Sequence, residues 1–307
     1  MAAQAVEKVF KASHDREFLN QMVPRLTKYY HWLATHRDFE GEGLLTIISP
    51  FESGMDWKPA YDPVLGLSPG KAGSKLFMKV FWVDMRNFLY NYNLKKIYRK
   101  GYFLVKDVGM NTIYAQNLRA LSRLCYLVND TQAGFFSQLA EKVTRSILKT
   151  MYDDQDAAFY DVAGRHNEKI KILTPTIFYP VVLENIPQEI SERVMKRHFF
   201  NSHEFKTRYP LPSVSTNHPS FYPGPSMYIW RGPTWIVHNW FMHQYLVEKG
   251  YRQESRLLIE SIRQLIAKSG FREYYNPFTG EGYGANDFSW AGLVTDMIQM
   301  EKQTESS

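Results

Sequence analysis

Apolar residues recur along most of the chain at spacings of three and four, which is the period of amphipathic α-helices. One such stripe runs from Phe18 through Met22, Leu26 and Tyr30 to Leu33. The same pattern predicts about eight helices, at 18–33, 76–89, 111–128, 132–152, 187–198, 233–249, 252–269 and 288–300. The chain is therefore predicted to be an all-α protein.

Residues that favour helix ends lie at the expected boundaries. Four residues suit N-caps: Asp15, Ser74, Thr131 and Asp287. Pro233 suits a first helical turn. Gly250 and Gly270 suit C-terminal stops.

Three long segments rich in Pro and Gly, at 41–73, 153–184 and 200–232, separate the predicted helices. Loops of this length in a compact domain usually carry function, because a helical scaffold can hold them around a pocket. Helix pairs joined by long loops on one side are typical of an α/α toroid. We expect residues 1–307 to form one such domain.

The composition favours a carbohydrate site over a nucleic-acid site. The 307 residues are 44% hydrophobic and 15% aromatic, with seven Trp and twenty Tyr, and aromatic rings stack on sugar faces. The alternative for any single ring is that it fills the core. The net charge is +6, but Lys and Arg are scattered among Asp and Glu, so nucleic acid is not an expected partner and a small anionic substrate is compatible.

The single cysteine, Cys125, lies in an apolar pattern and is expected to be a buried thiol, which excludes a disulfide framework. No metal-binding cluster or cofactor motif is visible. No apolar run approaches the length of a membrane span, and Met1 to Ser13 do not read as a signal peptide. We expect a cytoplasmic protein that needs neither a cofactor nor a membrane.

The motif Glu52-Ser-Gly-Met-Asp56-Trp57 supplies the first candidate for chemistry. Gly54 permits a tight turn that projects Asp56, and the neighbours Phe51 and Trp57 would desolvate its carboxyl group. Desolvation raises a carboxyl pKa, which keeps a general acid protonated near neutral pH. The alternative is that Glu52 or Asp56 serves as a loop cap or a surface ion pair.

A second acidic candidate, Glu273, follows a predicted helix and precedes the turn residues Asn276-Pro277. It could point into a pocket as a general base. Glu281 competes for this role, but its Gly-Glu-Gly setting predicts an exposed turn. Two carboxyl groups of this kind are what hydrolysis of a glycosidic bond requires.

The segment Trp230-Arg-Gly-Pro-Thr-Trp235 offers two indoles and a guanidinium group. Indoles stack on sugars, and Arg231 can bind hydroxyl or carboxylate oxygens. The alternative is a packed helix start with Arg231 in a structural salt bridge. His238, on the following predicted helix, is expected to be a core residue without a catalytic role.

Taken together, these residues resemble glycoside hydrolase family 63, especially its branch of mannosylglycerate and glucosylglycerate hydrolases. The matching motifs run through nearly the whole chain: Asp15-Arg-Glu-Phe-Leu, Glu52-Ser-Gly-Met-Asp56, Val105-Lys-Asp-Val-Gly-Met-Asn111, Tyr209-Pro-Leu-Pro-Ser213, Trp230-Arg-Gly-Pro233, Glu273-Tyr-Tyr-Asn-Pro277 and Asp287-Phe-Ser-Trp290. Each motif is weak alone, whereas the ordered set is specific.

The resemblance implies an (α/α)6 toroid that hydrolyses a small α-glycoside with inversion. It implies that Asp56 is the general acid and Glu273 the general base, and that Trp230 and Trp235 line the sugar pocket. Glu52, Trp57 and Arg231 are the further candidates for substrate binding.

The sequence also departs from the family pattern. A complete toroid has twelve helices, whereas about eight are predicted, so the resemblance implies an incomplete ring that lacks N-terminal helices. A second copy or the missing N-terminal segment would then cover apolar faces. Trp57-Lys58 stands where the branch commonly has Asn-Ser. A non-catalytic carbohydrate-binding remnant is therefore the alternative function. A sugar epimerase is disfavoured because no paired catalytic histidines are apparent.

Overall fold

The computed structural model of the chain describes residues 1–305. Ten α-helices dominate this part: α1 (Ala2–Ser13), α2 (Arg16–His36), α3 (Ser74–Leu89), α4 (Leu94–Lys100), α5 (Val108–Leu127), α6 (Ala133–Ser146), α7 (Gln188–Val194), α8 (Ile236–Glu248), α9 (Arg252–Ser269) and α10 (Leu293–Glu305). The eight predicted helices are all present. The sequence pattern missed α1 and the short α4.

Helix ends agree only partly with the predicted caps. The Asp15 side chain accepts a hydrogen bond from the Phe18 N–H at the start of α2, as predicted. The other three predicted N-caps are wrong, because Gly73 precedes α3, Gln132 precedes α6, and a 3-10 turn at Ser289–Gly292 separates Asp287 from α10. Gly270 ends α9 at a positive φ of 74°.

The start of α8 differs from the prediction, whereas its end agrees. α8 begins at Ile236, so Pro233 lies before its first turn and not within it. Lys249 is the C-cap of this helix, and Gly250 follows it at a φ of 74°, which confirms the predicted stop. α6 and α7 each continue into one π-helical turn, at Ile147–Met151 and Met195–Phe199.

Seven short strands add to the helices within residues 1–305. They are β1 (Val105–Lys106), β2 (Tyr152–Asp153), β3 (Ala158–Phe159), β4 (Val162–Ala163), β5 (Glu168–Lys169), β6 (Arg272–Tyr275) and β7 (Gly282–Asn286). All pairs are antiparallel: β1 with β4, β4 with β5, β2 with β3, and β6 with β7. Strands β2 to β5 lie in or beside the predicted loop segment 153–184, whereas β6 and β7 follow α9.

The main apolar core lies between the helices. α5 packs against α1, α2 and α6, and α8 packs against α9 and α10. Lys8 of α1 donates to Asp296 of α10 at 2.8 Å, so helices near the two ends of the chain are in contact. Cys125 is fully buried in this core, as predicted, and burial raises the pKa of its thiol to about 12. Within residues 1–305, no helix has the length and hydropathy of a membrane span.

Candidate functional site

The loop that carries Asp56 begins with a 3-10 turn at Pro50–Ser53, which ends at Gly54 with a φ of 71°. This positive φ confirms the tight turn predicted at Gly54, where other residues would be strained. Asp56 is half-buried, and burial raises the pKa of its carboxyl group, while a hydrogen bond from its own backbone opposes the shift. A raised pKa favours the protonated form that a general acid needs.

Aromatic rings surround the Asp56 loop. The Trp57 ring meets Phe51 edge-on at 5.5 Å between centroids and Tyr228 at 5.3 Å. Trp57 is only half-buried, so part of its ring remains open to a ligand.

Glu273 lies in β6, opposite an irregularity in β7. Arg272 pairs with Asn286 and Tyr274 with Tyr283, so Glu273 faces two residues of β7. One of these, Ala285, donates its backbone N–H to Glu273 Oε2 at 3.0 Å. The other, Gly284, has a φ of 69°, and a side chain there would overlap the Glu273 carboxylate. The hairpin therefore fixes one carboxylate oxygen by its own backbone geometry.

A small apolar cluster brings the Asp56 loop and the Glu273 strand together. Its buried members are Met55, Trp230, Trp235 and Tyr274. Met55 precedes Asp56 and Tyr274 follows Glu273, so a sequence neighbour of each candidate carboxyl group belongs to this cluster. Glu281, the competing acid, is exposed as predicted and accepts a hydrogen bond from Tyr283.

The two tryptophans of the central motif are almost fully buried. Their rings stack at 3.7 Å, and Tyr274 stacks on Trp235 at 5.1 Å. Trp230 is 3% exposed and Trp235 is 1% exposed, whereas Trp290, which meets both rings, is 36% exposed. Their predicted contact with a sugar stays a prediction. Trp290 is the accessible ring of this group. The sequence indicated it only through its place in the motif Asp287-Phe-Ser-Trp290.

Arg231 is nearly buried and is held by protein groups. It forms two hydrogen bonds to the Asp62 carboxylate, and it donates to the Trp57 backbone oxygen at 3.0 Å. This is the structural salt bridge that sequence analysis gave as the alternative role. Arg231 also lines a cavity of about 260 Å³ with Lys71 and Tyr228. Its predicted binding to substrate stays a prediction.

Glu52 is also engaged within the protein. It accepts hydrogen bonds from Arg37, with Nη1 at 2.8 Å from Oε1, and from the Ile48 backbone N–H at 2.7 Å. These contacts match the ion pair that was its alternative role. They tie the start of the Asp56 loop to the end of α2.

A buried charge cluster that the sequence did not predict lies around Lys58, two residues after Asp56. Lys58, which is completely buried, forms ion pairs with Asp107 and with Asp161, the latter at 2.6 Å, and the Tyr61 hydroxyl donates to Asp107. Burial and the neighbouring Asp107 raise the pKa of Asp161 to about 6, although Lys58 opposes this. The signals in the sequence were the unusual Lys58 and the motif that contains Asp107.

His238 is a core residue, as predicted. It is 1% exposed, and Tyr179 Oη lies 2.7 Å from its Nδ1. Burial, followed by the charge of Lys58, lowers the pKa of His238 to about 3. The ring is therefore neutral near pH 7.

Comparisons with known proteins agree with this architecture. The family described as the Mannosylglycerate hydrolase MGH1-like glycoside hydrolase domain matches residues 1–291. The mannosylglycerate hydrolase of Thermus thermophilus is 30% identical over an alignment that spans 96% of this chain and 74% of that protein. The glucosylglycerate hydrolase of Mycolicibacterium hassiacum is 24% identical, spanning 92% and 68%.

Solved structures of glycoside hydrolases are also similar to this chain. A crystal structure of GH63 mannosylglycerate hydrolase from Thermus thermophilus in complex with glucose has a TM-score of 0.86 and 28% identity, and the match covers 97% of this chain and 74% of that one. Neutral trehalase Nth1 from Saccharomyces cerevisiae, at 14% identity and a TM-score of 0.66, shares the fold. The architecture is thus that of the helical-toroid glycoside hydrolases, as predicted. Within that class, the chain belongs to the MGH1-like family.

Proposed function

We propose that the protein is an inverting α-glycosidase of small α-glycosides such as mannosylglycerate or glucosylglycerate. Relatives with these two names support the substrate class. Residues 1–307 would form one catalytic domain with no cofactor. The expected cytoplasmic location stays a prediction.

In this proposal, Asp56 is the general acid, and the observation that carries it is the half-buried carboxyl group with a raised pKa. The protonated Asp56 gives its proton to the glycosidic oxygen as the bond to the leaving group breaks. Among the described residues, Asp56 forms no ion pair that would hold it as a carboxylate.

Glu273 is the general base of the proposed reaction. The Ala285 N–H orients Oε2, and the other oxygen takes a proton from a water molecule that attacks the anomeric carbon from the opposite face. Inversion requires the two carboxyl groups to lie about 6.5–9.5 Å apart so that this water fits. Trp290 and Trp57 offer accessible rings for stacking on the sugar, and the cavity beside Arg231 and Lys71 suits an anionic glycerate group.

The test is hydrolysis of mannosylglycerate and glucosylglycerate by the intact protein and by Asp56→Asn and Glu273→Gln variants. General acid–base groups contribute about 10²–10⁴-fold to rate, so we expect each variant to lose kcat by that factor. Glu281→Gln, an exposed acid on the same hairpin, is the matched control and should keep its activity.

A non-catalytic carbohydrate-binding role is the competing function. Folded protein that binds the glycosides without releasing sugar would favour it. Full activity in either Asp56→Asn or Glu273→Gln would reject the assigned role of that residue.

A further inference from the structure

The net positive charge of the protein lies in one segment. Residues 71–102 hold eight Lys and Arg and one Asp, and therefore carry +7, whereas the other 275 residues hold 29 basic and 30 acidic side chains. The expectation that basic residues are scattered is wrong for this segment. It folds as α3, a turn and α4, and all eight basic side chains are exposed.

Helix α3 is attached to the protein along one narrow stripe. Its buried residues are Leu76, Val80, Val83 and Asn87, which a helical period places on one side. Six large apolar residues project elsewhere, and between 44% and 67% of each is exposed: Phe77, Met78, Phe81, Trp82, Phe88 and Leu89. Single exposed apolar residues are ordinary, but a contiguous group on one helix indicates a contact surface.

A basic stripe borders the exposed apolar arc of α3. Lys75, Lys79 and Arg86 are separated by four and seven residues, so they share one side of the helix. A helix that presents an apolar arc flanked by Lys and Arg is typical of segments that lie in the interface of a lipid bilayer. The long basic side chains can reach lipid phosphates while the apolar residues enter the headgroup boundary.

Cation–π contacts join α3 to α4. The Arg86 guanidinium lies 4.3 Å from the Tyr102 ring, Tyr102 stacks on Tyr90, and the Lys96 ammonium lies 4.3 Å from Tyr90. These contacts link the C-terminal end of α3 to α4. The exposed side chains of residues 71–102 are together called here the α3–α4 surface.

We propose that the α3–α4 surface docks on an anionic lipid bilayer. A second copy of the chain is a poor occupant, because it would bring one +7 surface against another. Nucleic acid matches the charge but gains little from exposed aliphatic residues such as Met78 and Leu89. A single convex helix with an exposed apolar arc suits a deformable surface, and the charge complements anionic headgroups.

Docking would place the candidate active site beside the bilayer. The Phe77 ring of α3 stacks at 6.4 Å on Trp57, which adjoins Asp56. The proposal does not depend on the hydrolytic activity, because it needs only the charge and exposure of residues 71–102. It concerns attachment to the bilayer surface and not a membrane-spanning segment.

The test is sedimentation of the intact protein with vesicles of phosphatidylcholine, with or without phosphatidylglycerol. We expect binding to the phosphatidylglycerol vesicles, weakened by salt. Lys75→Gln with Lys79→Gln should lower the partition coefficient about 25-fold, because each basic residue near an anionic surface contributes about fivefold. The matched control, Arg25→Gln with Lys28→Gln, removes equal charge from exposed positions on α2 and should bind normally.

A second measurement tests whether the exposed apolar residues of α3 enter the bilayer. Brominated lipids quench the fluorescence of a tryptophan that enters the bilayer, so part of the quenching should vanish in Trp82→Phe. Equal loss of binding in the two double variants would overturn the proposal in favour of net charge alone. It would also be overturned by a DNA duplex that binds through Lys75 and Lys79 while vesicles do not, or by a dimer that Phe81→Ser dissociates.

Discussion

The roles proposed for Asp56 as general acid and Glu273 as general base rest on the immediate surroundings of each side chain. Asp56 is half-buried beside Trp57, and no charged partner among the described residues offsets this burial. Glu273 receives a backbone N–H from the opposite strand of its hairpin, which orients one carboxyl oxygen. A carboxyl group that resists ionisation suits a general acid, and a carboxyl group with a fixed orientation suits a general base that must reach a water molecule.

The raised pKa of Asp56 predicts a cost to stability at neutral pH. The folded protein binds this proton more tightly than the unfolded chain does. Stability is therefore lost as pH rises through the unfolded pKa, about 3.9, towards the higher folded value. Asp56→Asn carries no charge and should raise the melting temperature near pH 7. The difference should vanish at a pH below both values.

Melting curves across pH, with Glu281→Gln as the exposed control, check this expectation. An Asp56→Asn variant that melts below the original protein at neutral pH would contradict it, and would indicate that the ionised carboxylate stabilises the fold.

Residue-level sequence reasoning found the chemically suited side chains but not their partners. The raised pKa expected for Asp56 follows from its neighbours in sequence, and the structure agrees. The Arg231 contact with Asp62 and the Glu52 contact with Arg37 join residues distant in sequence. Motif spacing carries no information about such contacts. For Arg231 and Glu52, the sequence therefore left two roles open, substrate binding and a structural ion pair.

At the scale of elements, Lys58 connects the candidate acid to the scaffold. Asp107 also caps α5 through the Met110 N–H, and Asp161 accepts from the Val108 N–H. One buried ammonium group thus ties the Asp56 loop to the start of α5 and to the residue before β4. Burial lowers and the two carboxylates raise the pKa of Lys58, with a net upward shift, so it stays charged.

Replacing Lys58 by Met should destabilise the protein by about 3–5 kcal/mol, since two buried carboxylates would face each other without a cation. The loss should shrink at acidic pH, where one carboxylate takes up a proton. Chemical denaturation at several pH values measures both effects.

Lys171 provides a matched control because it also bridges two aspartates, Asp153 at 3.1 Å and Asp156 at 2.9 Å, but is 49% exposed. Exposed pairs contribute about 0–1 kcal/mol, so Lys171→Gln should have little effect. Similar losses in the two variants would contradict the importance assigned to burial of the Lys58 cluster.

Periodicity predicted the long helices well because their buried faces repeat every three or four residues. It missed α4, because Ile97 is the single buried residue among the seven of this helix and a single residue shows no period. Ser74 and Thr131 each missed the N-cap by one residue, and a 3-10 turn at Ser289–Gly292 separates Asp287 from α10. Such turns are set by tertiary packing, which no local signal encodes.

For the whole molecule, the ordered motifs were enough to predict the toroid and the family, because as a set they resemble one family and that resemblance implies its fold. The α3–α4 surface could not be predicted in this way. Its charge block is present in the sequence, but only the fold separates the buried stripe of Leu76, Val80 and Val83 from the exposed arc. In the sequence, apolar residues on both sides of a helix resemble ordinary core positions. Only the structure shows which side is exposed to solvent.

Proton NMR of the sugar released first tests the central claim most directly. Intact protein is mixed with α-mannosylglycerate, and the anomeric signals are followed before mutarotation equilibrates them, with Asp56→Asn as the inactive control. The proposed inverting mechanism predicts that β-mannose appears first. Initial release of α-mannose would contradict it, because retention requires a covalent intermediate, and so would the absence of release by well-folded protein.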